Sequence, residues 1–254
     1  MKSLLKDVLF FLCGAGWTGL GNRASILMYH SVAQTEAFFT VSPKDFEWQM
    51  QYLQKSGRTV VSLSELCRRL KAGEPLGGLV AITFDDGYRD NYTIALPILK
   101  RYGFHATIFI TTDDVGKSDA HGMKHLTVAD MKEMEASKLI AIEPHTKSHT
   151  KLAKLSRDEV RKEIAGSKEA VEKLLGKSAT LFAFPYGNFS DETVAVAEEC
   201  GVTCAVTVRE GTVSAKSDVL RLPRNSIDAS TTPMQFRGKI SRAVDRYQSL
   251  KVWQ

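Results

Sequence analysis

Two adjacent carboxylates, Asp85 and Asp86, follow an apolar run at 79–84 and precede Gly87 in the stretch LVAITFDDGY. Asp-Gly is a common turn pair, and a turn is one account of it. Two like charges side by side at the end of a buried strand nevertheless disfavour joint ionisation. A cation bound there would remove the conflict. The chain offers partners for one in His145 and His149, four residues apart in EPHTKSHTKL and just after another apolar run. A helical turn starting at that point would turn both imidazoles the same way. Two histidines and a carboxylate suit a Zn²⁺-like site. In such a site one aspartate binds the ion. The other stays ionised beside it, ready to take a proton from water.

Chemistry of this kind needs elements that hold the four side chains together. Strand-like runs at 25–32, 59–62, 79–84, 106–112, 139–145, 180–187, 203–208 and 219–227 alternate with helical patterns. The helices are expected at 42–57, 64–73, 91–103, 127–138, 156–176, 190–201 and 233–248. Ser42-Pro43 and Thr127 are helix-start signals, and Ser156 with Glu159 forms a capping-box pattern. Strands alternating with helices imply parallel βα units, hence an α/β fold. Seven or eight such units in one chain fit a closed or nearly closed barrel in a single domain. Barrels of this type carry their chemistry at the C-terminal strand ends. His30, Asp85, Asp86, His145, Tyr186 and Arg224 are the polar residues that end the expected strands.

The motifs TFDDGY, HTKSH and FAFPYG, in that order, resemble those of the polysaccharide deacetylases with NodB homology, carbohydrate esterase family 4. LMYHSV and ALPILKRYG extend the likeness from about residue 26 to the last strand. It is nearest to the branch that includes poly-N-acetylglucosamine deacetylases. The resemblance implies a distorted (β/α)7 barrel and a metal-dependent hydrolase that releases acetate from an N-acetylhexosamine-containing glycan of the exopolysaccharide kind. It implies Asp85 as general base and Asp86, His145 and His149 as ligands of one divalent ion. Zn²⁺ is the expected ion, and Co²⁺ or Ni²⁺ suits the same ligands. The backbone N–H of Tyr186 would serve an oxyanion hole.

The chain departs from the family pattern in two places. The FAFPYG stretch lacks the arginine that many members pair with the base, and no histidine follows His149 to act as a late general acid. Arg224, in RLPRNSI, is the candidate to orient Asp85, and His30 the candidate proton donor; a rim salt bridge and an ordinary strand-end histidine are the bland alternatives. Tyr29, Tyr88 and Phe189 are candidate sugar-stacking platforms, with core or rim packing equally in view. His105 is read as starting a strand. His121 and His125 lie in the polar loop DDVGKSDAHGMKH, long enough to rim a cleft. Two other classes compete: a carbohydrate-binding module that has lost catalysis, and a metal-dependent amidohydrolase acting on a small non-sugar amide.

The 254 residues are 43% hydrophobic and 25% charged, which is ordinary globular composition with enough chain to bury a core. The net charge of +5 is concentrated in 232–254, where five basic residues face one acid; a solvated helix face is expected there. No nucleic-acid motif accompanies it. Cys13, Cys67, Cys200 and Cys204 show neither zinc nor redox spacing and are read as buried free thiols. Residues 1–22 form an apolar, signal-like or interfacial segment ahead of the deacetylase-like domain at 23–254. Peripheral membrane contact through that segment, in a membrane-associated or cell-envelope protein, is the expectation, with a cytoplasmic setting left open. The sequence leaves the oligomeric state undetermined.

Overall fold

The computed structural model describes Asp7 and residues 20–35, 37–120 and 122–251. The segment 1–22 therefore lies almost wholly outside the described residues, as do Cys13 and His121. Among the described residues no helix is long and apolar enough to cross a membrane.

A parallel sheet runs β10 (Asn225–Ser226), β1 (Ser25–Tyr29), β5 (Leu79–Phe84), β6 (Ala106–Ile110) and β7 (Ile140–Pro144). The short β4 (Thr59–Val60) pairs with the start of β5, and β2 (Ser31–Val32) with β3 (Thr40–Val41). A second parallel pair, β8 (Leu181–Ala183) and β9 (Cys204–Val206), continues the wall. The join between β7 and β8 is made by a side chain: the Glu143 carboxylate accepts the N–H groups of Thr180 (3.1 Å) and Leu181 (3.0 Å). The other join, from β9 towards β10, runs through a bridge between Val206 and Leu222. The wall thus closes, but unevenly, as a distorted barrel.

The helices take the expected positions with local adjustments. α1 (Pro43–Lys55) starts on Ser42, whose side chain accepts the Asp45 N–H, with Pro43 in the first turn. α2 (Leu63–Ala72) precedes β5. Asn91–Ala95 winds as a π-helix before α3 (Leu96–Tyr102). Pro97 explains the wide turn, because it has no N–H to donate and crowds the carbonyl four residues back. α4 (Val128–Ala136) and α5 (Arg157–Leu175) begin with complete capping boxes, Thr127 with Asp130 and Ser156 with Glu159. α6 (Asp191–Glu199) lies between β8 and β9.

Several expectations are corrected. The strand expected at 219–227 is regular only at β10, because Pro223 cannot donate to a ladder. The last helix is two, α7 (Pro233–Lys239) and α8 (Ala243–Lys251). The basic C-terminal face is not simply solvated. Lys239 is buried and paired with Glu210, and the Arg237 guanidinium lies over the Tyr52 ring at 5.2 Å. The free-thiol reading holds for Cys200 but fails for Cys67 and Cys204, which form a disulfide. The sequence separation of 137 residues hid the pair, which the fold brings to a Cα–Cα distance of 6.4 Å. Both cysteines sit in a buried cluster with Ile26, Ala81 and Phe109, so the bond ties α2 to β9 inside the core.

Candidate active site

β5 delivers the carboxylate pair. Its six residues are fully buried in the sheet, and the Asp85 N–H still donates to the Tyr29 carbonyl at 2.9 Å. Beyond that bond the chain turns sharply, with Asp86 at φ 68° and Gly87 at φ 72°. A Cβ on residue 87 would stand 2.7 Å from Ile110 Cγ2, so both the conformation and the space demand glycine. The turn sends the two aspartates into different surroundings.

Asp85 meets Arg224. The guanidinium bridges both carboxylate oxygens, Nη1 to Oδ1 at 2.6 Å and Nη2 to Oδ2 at 2.7 Å. Arg224 is wholly buried and also donates to the Thr207 carbonyl and Thr83 Oγ1. Burial alone would raise the Asp85 pKa. The Arg224 charge, with its hydrogen bonds, outweighs it and holds the carboxyl well below the usual carboxylate range.

Asp86 meets the histidines. Its Oδ1 lies 3.2 Å from His149 Nε2 and 3.7 Å from His145 Nε2. His145 is fixed by its backbone N–H on the Ile110 carbonyl (2.9 Å) and by Nδ1 on the Ala183 carbonyl (2.7 Å). A carbonyl only accepts, so Nδ1 carries the proton and Nε2 keeps a free lone pair. Burial pushes the His145 pKa down to about 3, which keeps the ring neutral. Burial likewise lowers that of His149. The expected helical turn at 145–149 is absent. Thr146 (φ 68°) and His149 (φ 54°) are left-handed, and the Glu163 carboxylate takes the N–H groups of Lys147 and Ser148. The imidazoles still converge, by loop geometry in place of helical spacing.

One ligand atom each from Asp86, His145 and His149 falls within 4.8 Å of the others. Asp86 Oδ1 is buried and takes no hydrogen bond from a described residue. Burial pushes the Asp86 pKa up to about 6; Asp85 adds to the rise and His30 opposes it. An acceptor-only oxygen, two neutral imidazole nitrogens and an unfavourable buried charge all fit a divalent cation.

The remaining candidates are distributed unevenly. His30 and Tyr186 line the same cleft of about 390 Å³ as the metal-ligand set. Tyr186 has a left-handed backbone (φ 57°) and is 57% exposed, with its ring 4.5 Å from that of His149. Tyr88 lines the cleft, stacked on by Phe39 (5.5 Å) and His125 (5.0 Å). Tyr29 is no platform; it is fully buried and donates to Gln49. Phe189 packs on Phe184 beneath Arg209 and is not among the cleft residues. His105 sits just ahead of β6, outside the site.

Sequence reasoning missed Phe39, Thr111, Asp114, Asp119 and Val208, and gave His125 no specific role; all line the cleft. The loop that carries Asp114, Asp119 and His125 is clipped to the Asp-Gly turn. Leu126 donates to the Gly87 carbonyl and Arg89 to that of Lys124. Its length and polar composition were the only sequence signals.

A family model described as polysaccharide deacetylase matches residues 72–205. YxkH of Bacillus subtilis, whose name places it among polysaccharide deacetylases, is 38% identical over 215 residues, 84% of this chain and 75% of that one. The poly-beta-1,6-N-acetyl-D-glucosamine N-deacetylase of Staphylococcus aureus is 30% identical over 194 residues, 73% of this chain and 67% of that one. The structure of Streptococcus pyogenes deacetylase PplD in complex with acetate matches with a TM-score of 0.78 at 29% identity, covering 87% of this chain and 99% of that one. The (β/α)7 barrel-like fold is common to both. With the fold, the motifs and these relatives in agreement, the chain belongs to the polysaccharide deacetylase family.

Proposed function

We propose that this metal-dependent N-deacetylase removes acetyl groups from N-acetylglucosamine residues of a poly-N-acetylglucosamine-like glycan, with one divalent ion on Asp86, His145 and His149. The convergence of those three ligand atoms beside the Asp85–Arg224 pair carries the reading. Zn²⁺ is the ion expected, with Co²⁺ and Ni²⁺ compatible. When bound, such an ion supplies Lewis acidity and makes water more acidic.

The chain's own groups supply the rest. Asp85 accepts the proton of the attacking water. Arg224 keeps Asp85 ionised at working pH and fixes its orientation; the same pairing moderates its basicity. The Tyr186 N–H donates to the oxyanion as the carbonyl becomes tetrahedral. His30 gives a proton to the departing amine. A binding module without catalysis would have no use for an ionised carboxylate fixed beside a cation site.

Acetate release from β-1,6-linked N-acetylglucosamine oligomers, by protein reconstituted with Zn²⁺, Co²⁺ or Ni²⁺, tests this. Metal-dependent release from the oligomers is expected. Release only from small non-sugar amides would contradict it.

We propose also that the protein folds outside the cytoplasm. The buried Cys67–Cys204 disulfide supports this, since such bonds persist mainly in oxidising compartments. Thiol titration of unfolded native protein checks it: four reactive thiols, the full cysteine content, would contradict the proposal.

A further inference from the structure

Exposed large apolar side chains are unevenly distributed on this protein. Among the described residues they are Phe38, Tyr186, Val208, Met234 and Leu250. Tyr186 and Val208 line the cleft, and Phe38 immediately precedes Phe39, which lines it too. Phe38 is the most exposed of the five, at 67%. Its position is fixed all the same. The Phe38 carbonyl accepts the Ala229 N–H (3.0 Å), and Thr40 donates to the Ala37 carbonyl (2.9 Å), so the ring is carried on a pinned turn.

We propose that Phe38 is an outer glycan-binding platform. It stacks on the apolar face of a sugar residue further along the chain from the N-acetylhexosamine that is being deacetylated. It thereby selects polymer over short substrate.

The proposal rests on the deacetylase reading of the cleft and adds a residue that contacts neither the metal site nor the reacting atoms. Three observations favour a sugar as the occupant. Phe38 is the chain neighbour of Phe39, which lines the cleft. A single ring matches the C–H face of one pyranose, whereas a protein interface or a bilayer is served by a larger contiguous apolar patch. Inside the cleft, Tyr88 is already engaged by Phe39 and His125, so it presents an edge and a hydroxyl more than a free face.

The test compares wild type, Phe38→Ala and Phe38→Trp on a dimer and a pentamer of β-1,6-linked N-acetylglucosamine. Phe38→Ala is expected to raise KM for the pentamer about fivefold, the scale of one lost ring contact. Its kcat on the pentamer and its kcat/KM on the dimer should not change, and Phe38→Trp should restore the pentamer KM. Equal effects on the two lengths, or none on either, would overturn the proposal. So would loss of binding to anionic phospholipid vesicles in Phe38→Ala with an unchanged pentamer KM, which would make the ring a membrane contact. If wild type releases no acetate, the deacetylase reading fails by itself. The pentamer Kd then decides the platform: weakened by Phe38→Ala it stands, unchanged it falls.

Discussion

Asp85 and His145 follow strands and Arg224 immediately precedes one, and all three are almost wholly buried, whereas Phe39 and His125 reach the cleft from loops. In the first half each side chain is held by a fixed partner. Arg224 holds Asp85 through two bonds, and the Ala183 carbonyl holds His145. In the second half the contacts are ring against ring, and His125 Nδ1 is buried with no hydrogen-bond partner among the described residues. The strand-end half is organised for one geometry, as proton transfer and metal binding demand. The loop half is organised for contact area, which tolerates change. Substitutions in the first half should therefore lower kcat, and those in the second should move KM.

The largest effect is expected at Arg224. Arg224→Met leaves a buried carboxylate without its counter-charge, which typically costs about 3–5 kcal/mol of stability. Without the guanidinium, the Asp85 pKa rises from its depressed position. Ionised base then appears only at higher pH, so the acid limb of kcat/KM should shift upward. Arg224→Lys should recover part of both. A pH–rate profile of Arg224→Met that superposes on that of wild type would separate Arg224 from Asp85 function.

The next effect is on metal binding. Without metal, the folded-state Asp86 pKa of about 6 lies above the ordinary carboxylate value, so the protonated form is favoured until the pH rises through 6. Protons and metal compete for that oxygen. Affinity should be greatest above pH 6 and fall about tenfold for each unit below it, one proton per ion. Isothermal titration with Zn²⁺ between pH 5 and pH 7.5, a range of about two to three units around that value, would show it. A flat profile would place the ion on other ligands.

How much of this was legible follows the same division. The strand-end residues announced themselves because a polar residue closing an apolar run is conspicuous, and alternating strand and helix patterns located the runs. The Arg224–Asp85 pair spans 139 positions and was open to inference because both residues were expected at strand ends of one barrel, although Arg224 in fact stands just ahead of β10. Phe39, Asp114 and Asp119 carry no periodicity. Only the folded loops make them cleft residues, the one that carries the two aspartates being clipped to Gly87 and Arg89 by backbone bonds. The disulfide was hidden for a similar reason, since nothing local links a helix residue to a strand residue 137 positions away. Tyr29 misled because strand ends look alike in sequence whichever face a side chain takes.

The smallest effect is expected at His125. Removing its ring leaves Tyr88 stacked by Phe39 alone, so His125→Ala should raise KM a few-fold, about the value of one aromatic contact, with kcat retained. A drop in kcat of about 100-fold, the scale of a lost general acid or base, would move His125 into the chemical half of the site.

The division of labour between the two adjacent aspartates is the centre of the account, and one paired measurement addresses it. Metal content and acetate release are determined together for Asp85→Asn and Asp86→Asn. Asp85→Asn should retain about one ion per chain, as a single three-ligand site implies, while turnover falls about 10²–10⁴-fold for want of a base. Asp86→Asn should lose the ion and the activity together. Loss of metal from Asp85→Asn, or turnover by it within about tenfold of wild type, well short of general-base loss, would contradict the assignment.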